Sequence, residues 1–397
     1  MDPYLNDWLS LVIRFLHVVT AIAWIGASFY FVWLDNTLQT PPDWKKKKGI
    51  SGDLWAVHGG GFYEVAKYKL APESMPETLH WFKWEAYSTW ITGFLMLILI
   101  YYIGADAYLI DPNKADISQT TAILIGVGAI FGSYFIYDFA CKTPLVEKGL
   151  LFGIVMLVLL TFLAWLLGLV FSDRGTYIHI GAIIGTCMAA NVMTVIMPGQ
   201  RALVTAVEKG EAPDPKYGYN AKLRSVHNNY ATLPVLFIML SNHYPMTFGH
   251  EYGWLVLGAI MLIAAWARHF FNLRHRGIVK PSILISAIVA FVALAWILKP
   301  TPIEAVEGST GLTDAQAITL VKDKCGTCHS KAPTDDVFTV APSGVMYDTS
   351  DEIMNWLPRI HARAIISKDM PFMNKTQMTD EQRAQLSEWI TKKQAAK

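Results

Sequence analysis

Cysteine is scarce in this chain, and its scarcity narrows the chemistry. Only Cys141, Cys187, Cys325 and Cys328 occur in 397 residues, and the first two sit in apolar stretches. No second Cys/His pair lies near Cys325 and Cys328 to complete a zinc tetrahedron. No stretch matches G-x-G-x-x-G or G-x-x-x-x-G-K, so nothing points to a nucleotide site. Charged residues make up only 16% of the chain, with a net charge of +1, and that balance says little about partners. A basic lead is missing before the first apolar run, which is also too long for a cleavable leader and reads as a retained span.

What the sequence does contain is Cys325-Gly326-Thr327-Cys328-His329. C-x-x-C-H is the attachment signature of a c-type haem. Two thiols at this spacing form thioethers with the haem vinyl groups, and the following imidazole is the proximal iron ligand. A redox dithiol would use the same Cys-x-x-Cys, but the adjacent His would add nothing to it. The expected cofactor is therefore one covalent haem c per chain, with His329 as an iron ligand. Methionine is the usual sixth ligand, because its soft thioether favours ferrous iron. Met370 and Met373 are the nearby candidates, with Met346, Met354 and Met378 more remote. Met370 is preferred, because a residue before proline is held in a restricted, extended segment. Thr313-Asp314 caps a helix leading into the cysteines, and Thr379-Asp380-Glu381-Gln382 caps another running to about Ile390. Residues 313–397 thus read as a small, mostly helical class I cytochrome c domain, joined by a linker over 299–312.

Residues 1–298 differ in composition. Charges gather between long apolar runs, which fit eight spans at roughly 9–34, 85–104, 118–139, 149–171, 176–198, 226–241, 253–271 and 280–298. The sixth run is interrupted by Pro234. The expected fold is all-α: a polytopic membrane helix bundle followed by the cytochrome domain. Haem attachment to C-x-x-C-H takes place outside the cytoplasm, and eight spans then put both the N-terminus and the cytochrome on the periplasmic side of a bacterial inner membrane. Basic residues agree with this topology. They crowd the inner connections, as in Lys45 to Lys48, Lys142, Lys148, Arg224 and Arg268, whereas the outer ones before the cytochrome carry only Lys114 and Arg174.

Two short matches fall four spans apart. Leu16-His17-Val18-Val19 is like Ile178-His179-Ile180-Gly181, and Glu85-Ala86-Tyr87-Ser88-Thr89 is like Asn228-Asn229-Tyr230-Ala231-Thr232. They are either a chance likeness or the trace of two four-helix halves with a site at their interface. Histidines and acids within spans are costly, and each is either an interfacial hydrogen-bonding group or a functional one. His17 and His179 are expected near the outer face. His80, Glu85, His227, Asn228 and Asn229 are expected at the inner helix ends.

Phe15-Leu16-His17 with Ala23-Trp24-Ile25-Gly26, His80-Trp81-Phe82-Lys83-Trp84-Glu85-Ala86-Tyr87, Met188-Ala189-Ala190-Asn191-Val192, His227-Asn228-Asn229-Tyr230, Ser241-Asn242-His243-Tyr244-Pro245 and Ala341-Pro342-Ser343-Gly344-Val345-Met346 carry a family resemblance through nearly the whole chain. The chain resembles the membrane-bound, cytochrome c-fused urate oxidases (urate hydroxylases) of bacterial purine degradation. The resemblance implies oxidation of urate towards 5-hydroxyisourate, with electrons leaving through the cytochrome c to a respiratory-chain acceptor, either cytochrome oxidase or a soluble cytochrome c. Expected partners are thus urate, that acceptor and membrane lipid, with no nucleic acid.

Urate is a planar monoanion, so its site should offer an aromatic face, amides for its alternating N–H and C=O edge, and a base. Glu85, His227, Asn228 and Asn229 are the catalytic candidates, beside Trp84. A site at their inner end would lie a hydrocarbon layer of about 30 Å from the haem. An intermediate centre is then expected, most simply a haem b using some of His17, His179, His80 and His227. Two other classes are a membrane-anchored cytochrome c serving a separate dehydrogenase, and a haem-containing transporter.

Overall fold

A computed structural model describes residues 3–112, 114–299, 311–335, 338, 340–366 and 368–395. Each apolar run has become a helix. In chain order these are α1 (Pro3–Thr37), short α2 (Asp43–Lys47), the strands β1 (Ile50–His58) and β2 (Gly61–Tyr68), α3 (Trp84–Leu97) with a π-helical continuation Ile98–Tyr102, short α4 (Ala105–Tyr108), α5 (Gln119–Ala140), α6 (Gly149–Gly168), α7 (Asp173–Ala190) continuing through a π turn Asn191–Ile196 into α8 (Met197–Glu208), α9 (Pro215–Ser241), short α10 (Pro245–Phe248), α11 (Gly253–His275) and α12 (Pro281–Ile297). The C-terminal unit holds α13 (Asp314–Cys325), α14 (Ser350–Asn355), α15 (Leu357–Ile360) and α16 (Asp380–Ala395).

Local chemistry sets the helix starts. The side chains of Ser118, Ser172 and Asp214 accept hydrogen bonds from the free N–H groups of Thr121, Gly175 and Lys216. Pro215 and Pro281 occupy first turns, where no N–H is needed. Thr313 and Gln316 close a capping box, and Thr379 with Gln382 makes the same reciprocal pair. Both caps fall where the sequence placed them.

Five helical stretches are long and apolar enough to cross a membrane: Trp8–Thr37, Gln119–Ala140, Gly149–Gly168, Asp173–Glu208 and Gly253–His275. The other three expected spans correspond to α3, α9 and α12, which are shorter or carry more charge. Pro234 does not break α9, which begins eleven residues before the run from 226 and brings Arg224 into the bundle. Arg224 and Arg268 are buried within α9 and α11. They are internal polar groups rather than free charges of the inner connections. Residues 35–80, unreadable in sequence, form α2 and an antiparallel hairpin in which Val57 pairs with Phe62. A buried Lys45 joins α2 to this hairpin by pairing with Asp53 on β1 and Glu64 on β2.

At the centre of the bundle stands α7, whose Tyr177, Ile180 and Ile183 are almost wholly buried against Leu109, Ile130, Phe171, Ile238 and Leu257. Glycines let backbones close on it. A Cβ at Gly126 would lie 2.5 Å from Nε2 of His179, and one at Gly181 only 2.6 Å from Ile238. Outward faces of the bundle present large apolar side chains such as Phe15, Phe135, Leu150 and Trp296, as a surface facing hydrocarbon requires. A second core, around Val321, Ile353, Leu386, Trp389 and Ile390, lies in the C-terminal unit. The linker expected over 299–312 falls, from 300 to 310, outside the described residues.

Candidate functional site

Helices α1, α3, α7 and α9 enclose a cavity of about 320 Å³. These are the four helices that carry the two short sequence matches, and the matched threonines Thr89 and Thr232 both line it. Trp24, Trp90 and Phe94 supply an aromatic wall, with Trp90 stacked on Phe94 and donating its indole N–H to Thr186 at 3.1 Å. His17, Thr186 and Asn228 add polar groups. Arg14, Arg174, Asn242 and His243 line the cavity too, and no carboxylate among the described residues does. A void whose only charged lining is cationic favours an anion.

His17 is fixed from α3. Its Nδ1 lies 3.1 Å from the carbonyl of Thr89 and 3.1 Å from Oγ1 of Thr92. A carbonyl can only accept, so Nδ1 carries the proton and Nε2 remains an acceptor. Gly93 makes the room, since a Cβ there would stand 2.9 Å from the His17 ring. Asn228 donates to the carbonyl of Met188 (2.9 Å) and accepts from Asn191 (2.8 Å), leaving one N–H and one lone pair for the cavity.

The other candidates go elsewhere. His179, the sequence counterpart of His17, is fully buried outside this cavity, donating from Nδ1 to the carbonyl of Gly175 (2.8 Å), with Nε2 3.3 Å from the Tyr102 hydroxyl. His227 accepts from Tyr137 at 2.9 Å and stacks on Phe152. Tyr137 belongs to a network in which Asp138 pairs with Arg224 (2.7 Å) and Arg224 donates to Asn191 (3.0 Å). Asn229 accepts from Arg268 (3.2 Å), whose guanidinium covers Phe29. The Nδ2 of Asn229, Nη2 of Arg268 and Oε2 of Glu85 are buried with no protein partner. His80 is exposed, edge-on to Phe82. Of Glu85, His227, Asn228 and Asn229, only Asn228 lines the cavity, and of the four histidines, only His17.

A larger cavity, about 870 Å³, lies between the bundle and the C-terminal unit. Cys325, Cys328, His329, Met370 and Met373 all line it. Cys325 ends α13, and the turn that follows returns the His329 N–H to the Cys325 carbonyl at 2.9 Å. Both thiols are free. Burial pushes the Cys325 thiol up to about 12 and raises that of Cys328, so both stay protonated at neutral pH. His329 donates from Nδ1 to the carbonyl of Val345 at 3.0 Å, which leaves Nε2 as its unprotonated face, and burial lowers its pKa. The Met370 backbone is held at both ends, its N–H on the Arg363 carbonyl (3.1 Å) and its carbonyl under Arg383 (2.8 Å). Met373 sits in a left-handed backbone conformation, φ 52°. Among the described residues, no three His, Cys, Asp or Glu side chains converge as a metal site.

Arg174 and Asn242 line both cavities. In the sequence, Arg174 stands out only as an outer-connection charge and Asn242 only within a motif of the family resemblance. The missed signal was a lone arginine in the capped first turn of the most buried helix.

The fold and its interhelical cavity define a mostly helical protein with several candidate membrane-crossing helices and a candidate site between them. The family model described as urate oxidase N-terminal matches residues 3–299, and the chain belongs to that family. This supports a urate-related oxidoreductase. No curated protein and no solved structure matches.

Proposed function

We propose that this chain is a membrane-bound urate oxidase that converts urate to 5-hydroxyisourate in the cavity between α1, α3, α7 and α9 and passes the electrons to a covalent haem c in the C-terminal unit. The observation that carries the reading is the carboxylate-free, arginine-bearing cavity within the segment that matches the family. Its aromatic wall suits a planar ring, Arg174 and Arg14 suit a monoanion, and Asn228 with the threonines suits an edge of alternating donors and acceptors. Nε2 of His17, left as an acceptor, is placed to take an N–H proton from the ring.

The residues of the larger cavity fit a haem. Two free thiols, an imidazole whose Nδ1 is already engaged and a thioether on a tethered loop are the donor set of a His/Met c-type haem. Cys325 and Cys328 would hold the macrocycle and His329 and Met370 would be its iron ligands; Met373 shares the lining. Such a haem would supply one-electron acceptance at a potential raised by methionine. The eight-span topology with a periplasmic cytochrome, and a respiratory acceptor beyond it, belong to the same reading. Arg174 and Asn242 line both cavities, so on this reading electrons pass between them directly, with an intermediate haem b as the alternative route.

The test is anaerobic addition of urate to the oxidised full-length protein, following the cytochrome alpha band, with His17→Ala and Asn228→Ala alongside. The expected outcome is reduction in the wild type, slowed by about 10² to 10⁴ in His17→Ala if it is the base. A haem that dithionite reduces and urate does not would instead assign the chain to electron carriage for another dehydrogenase.

A further inference from the structure

The partition between the two cavities is built from few groups. Arg174, in the first turn of α7, donates from Nε to the Tyr101 hydroxyl (3.1 Å) and to Oδ1 of Asn242 (3.0 Å), and Tyr101 donates to the same Oδ1 at 2.8 Å. One arginine therefore ties the end of the α3 continuation to the end of α9. Its guanidinium also lies 5.1 Å from the Tyr108 ring centre and 5.9 Å from that of Tyr101, and the two tyrosine rings are 6.3 Å apart. Tyr108 reaches across to the C-terminal unit, edge-on to Phe372 at 5.7 Å. Phe372 is two residues beyond Met370.

Tyr101 faces the smaller cavity, Tyr108 and Phe372 the larger, and Arg174 and Asn242 both. The groups form an unbroken series of hydrogen-bonded and ring contacts from one cavity to the other. Nothing about a helix bundle requires such a series. Tyr101 and Arg174 would satisfy one another without Tyr108, and Tyr108 could be any apolar residue if its task were only to cover the mouth. The two phenol rings meet edge to face, and the guanidinium packs beside both of them, so it helps fix their separation and orientation.

We infer that Tyr101, Arg174 and Tyr108 form the electron-transfer junction between the substrate cavity and the C-terminal redox site, with Arg174 as the positioning residue that holds the two tyrosine rings against one another. This rests on the urate reading. Per urate, one water is added, two protons are released and two electrons leave singly along the junction. The oxidant is ferric haem c, which is returned to the ferric state between the two by an electron acceptor of the respiratory cytochrome class. The tyrosines are not consumed.

The experiment is stopped-flow mixing of oxidised full-length protein with urate under anaerobic conditions, comparing wild type, Tyr108→Leu and Arg174→Gln. Midpoint potential, alpha-band position and half-saturating urate concentration are measured on each. Tyr108→Leu lies outside the smaller cavity, and it should slow haem reduction at saturating urate about tenfold or more while leaving those three quantities at wild-type values. Arg174→Gln should slow it at least as much, and it also raises the half-saturating urate concentration because it removes a cation from the cavity. Wild-type rates in both variants would overturn the junction and leave the urate reading standing. Slowing accompanied by a shifted potential or alpha band would also overturn it, because the residues would then act through the haem site's structure. Absence of haem reduction by urate in the wild type would overturn the urate reading itself and the junction with it.

Discussion

The two cavities of this chain are furnished in opposite ways. In the smaller one, His17, Thr89, Thr186 and Asn228 are already hydrogen-bonded within the bundle, so each presents only the remaining half of its capacity to a ligand. In the larger one, the thiols, the imidazole Nε2 and the thioethers are reactive groups with no bond among them, held in place by their backbones. The first arrangement selects a shape and a charge. The second is the arrangement that, on the proposed reading, would take a covalent haem. A recognition site is thus paid for by packing of distant helices, and an attachment site by a local turn.

The largest effect that would sharpen this contrast is on the second site. His329→Ala should abolish urate-driven cytochrome reduction and the alpha band of a low-spin haem while leaving urate binding to the membrane cavity intact, as isothermal titration or urate protection from proteolysis would show. Loss of both together would break the division between the sites. Met370→Ala should keep the haem attached but lower its midpoint potential by on the order of 100 mV, whereas Met373→Ala should not.

A smaller effect separates the two matched histidines. Gly126→Ala places a methyl group 2.5 Å from Nε2 of the wholly buried His179. It should cost about 1–3 kcal/mol, seen as a lower melting temperature in detergent. Gly93→Ala meets the His17 ring at 2.9 Å, but that ring borders a void into which it can turn. There the stability loss should stay below about 1 kcal/mol and the half-saturating urate concentration should rise instead. Equal melting losses in the two variants would remove the distinction between a packing histidine and a cavity histidine.

The smallest expected effect concerns the frame of the C-terminal unit. Lys393 and the Trp389 indole, both on α16, bond Asp314 at 2.7 and 2.9 Å and hold its carboxyl below the usual carboxylate range. A carboxylate depressed in the folded state contributes stability above its unfolded pKa and loses it as pH falls through the folded one. Asp314→Asn should therefore lower the melting temperature slightly at pH 7, and the difference should close below about pH 4. A difference as large at pH 3 as at pH 7 would mean packing, not charge, ties α13 to α16.

How much of this was legible varied by element. Thr313, Thr379 and the apolar runs carry local signals, a capping oxygen or an uninterrupted stretch of hydrocarbon, and each produced the expected helix. Pro234 misled, because a proline inside a long packed helix loses one hydrogen bond without ending it. Arg224 and Arg268 were read as loop charges because sequence shows sign but not depth. His17 and His179 share a sequence context, yet one borders the cavity and the other is sealed against Gly126. That choice depends on which neighbouring helix carries the glycine facing each ring.

By itself, the sequence determined where the apolar runs become helices and that two thiols and an imidazole fall within five residues, because each of these depends on residues close along the chain; eight runs read as spans, of which five helices are long and apolar enough to cross a membrane. Only the tertiary structure decided that α1, α3, α7 and α9 share one cation-lined cavity, that Asn228 faces it while Asn229 turns to Arg268, and that Arg174 borders both sites. Those outcomes depend on how helices distant in sequence rotate and pack, and rotation is set by small residues and buried polar pairs whose partners no local pattern names.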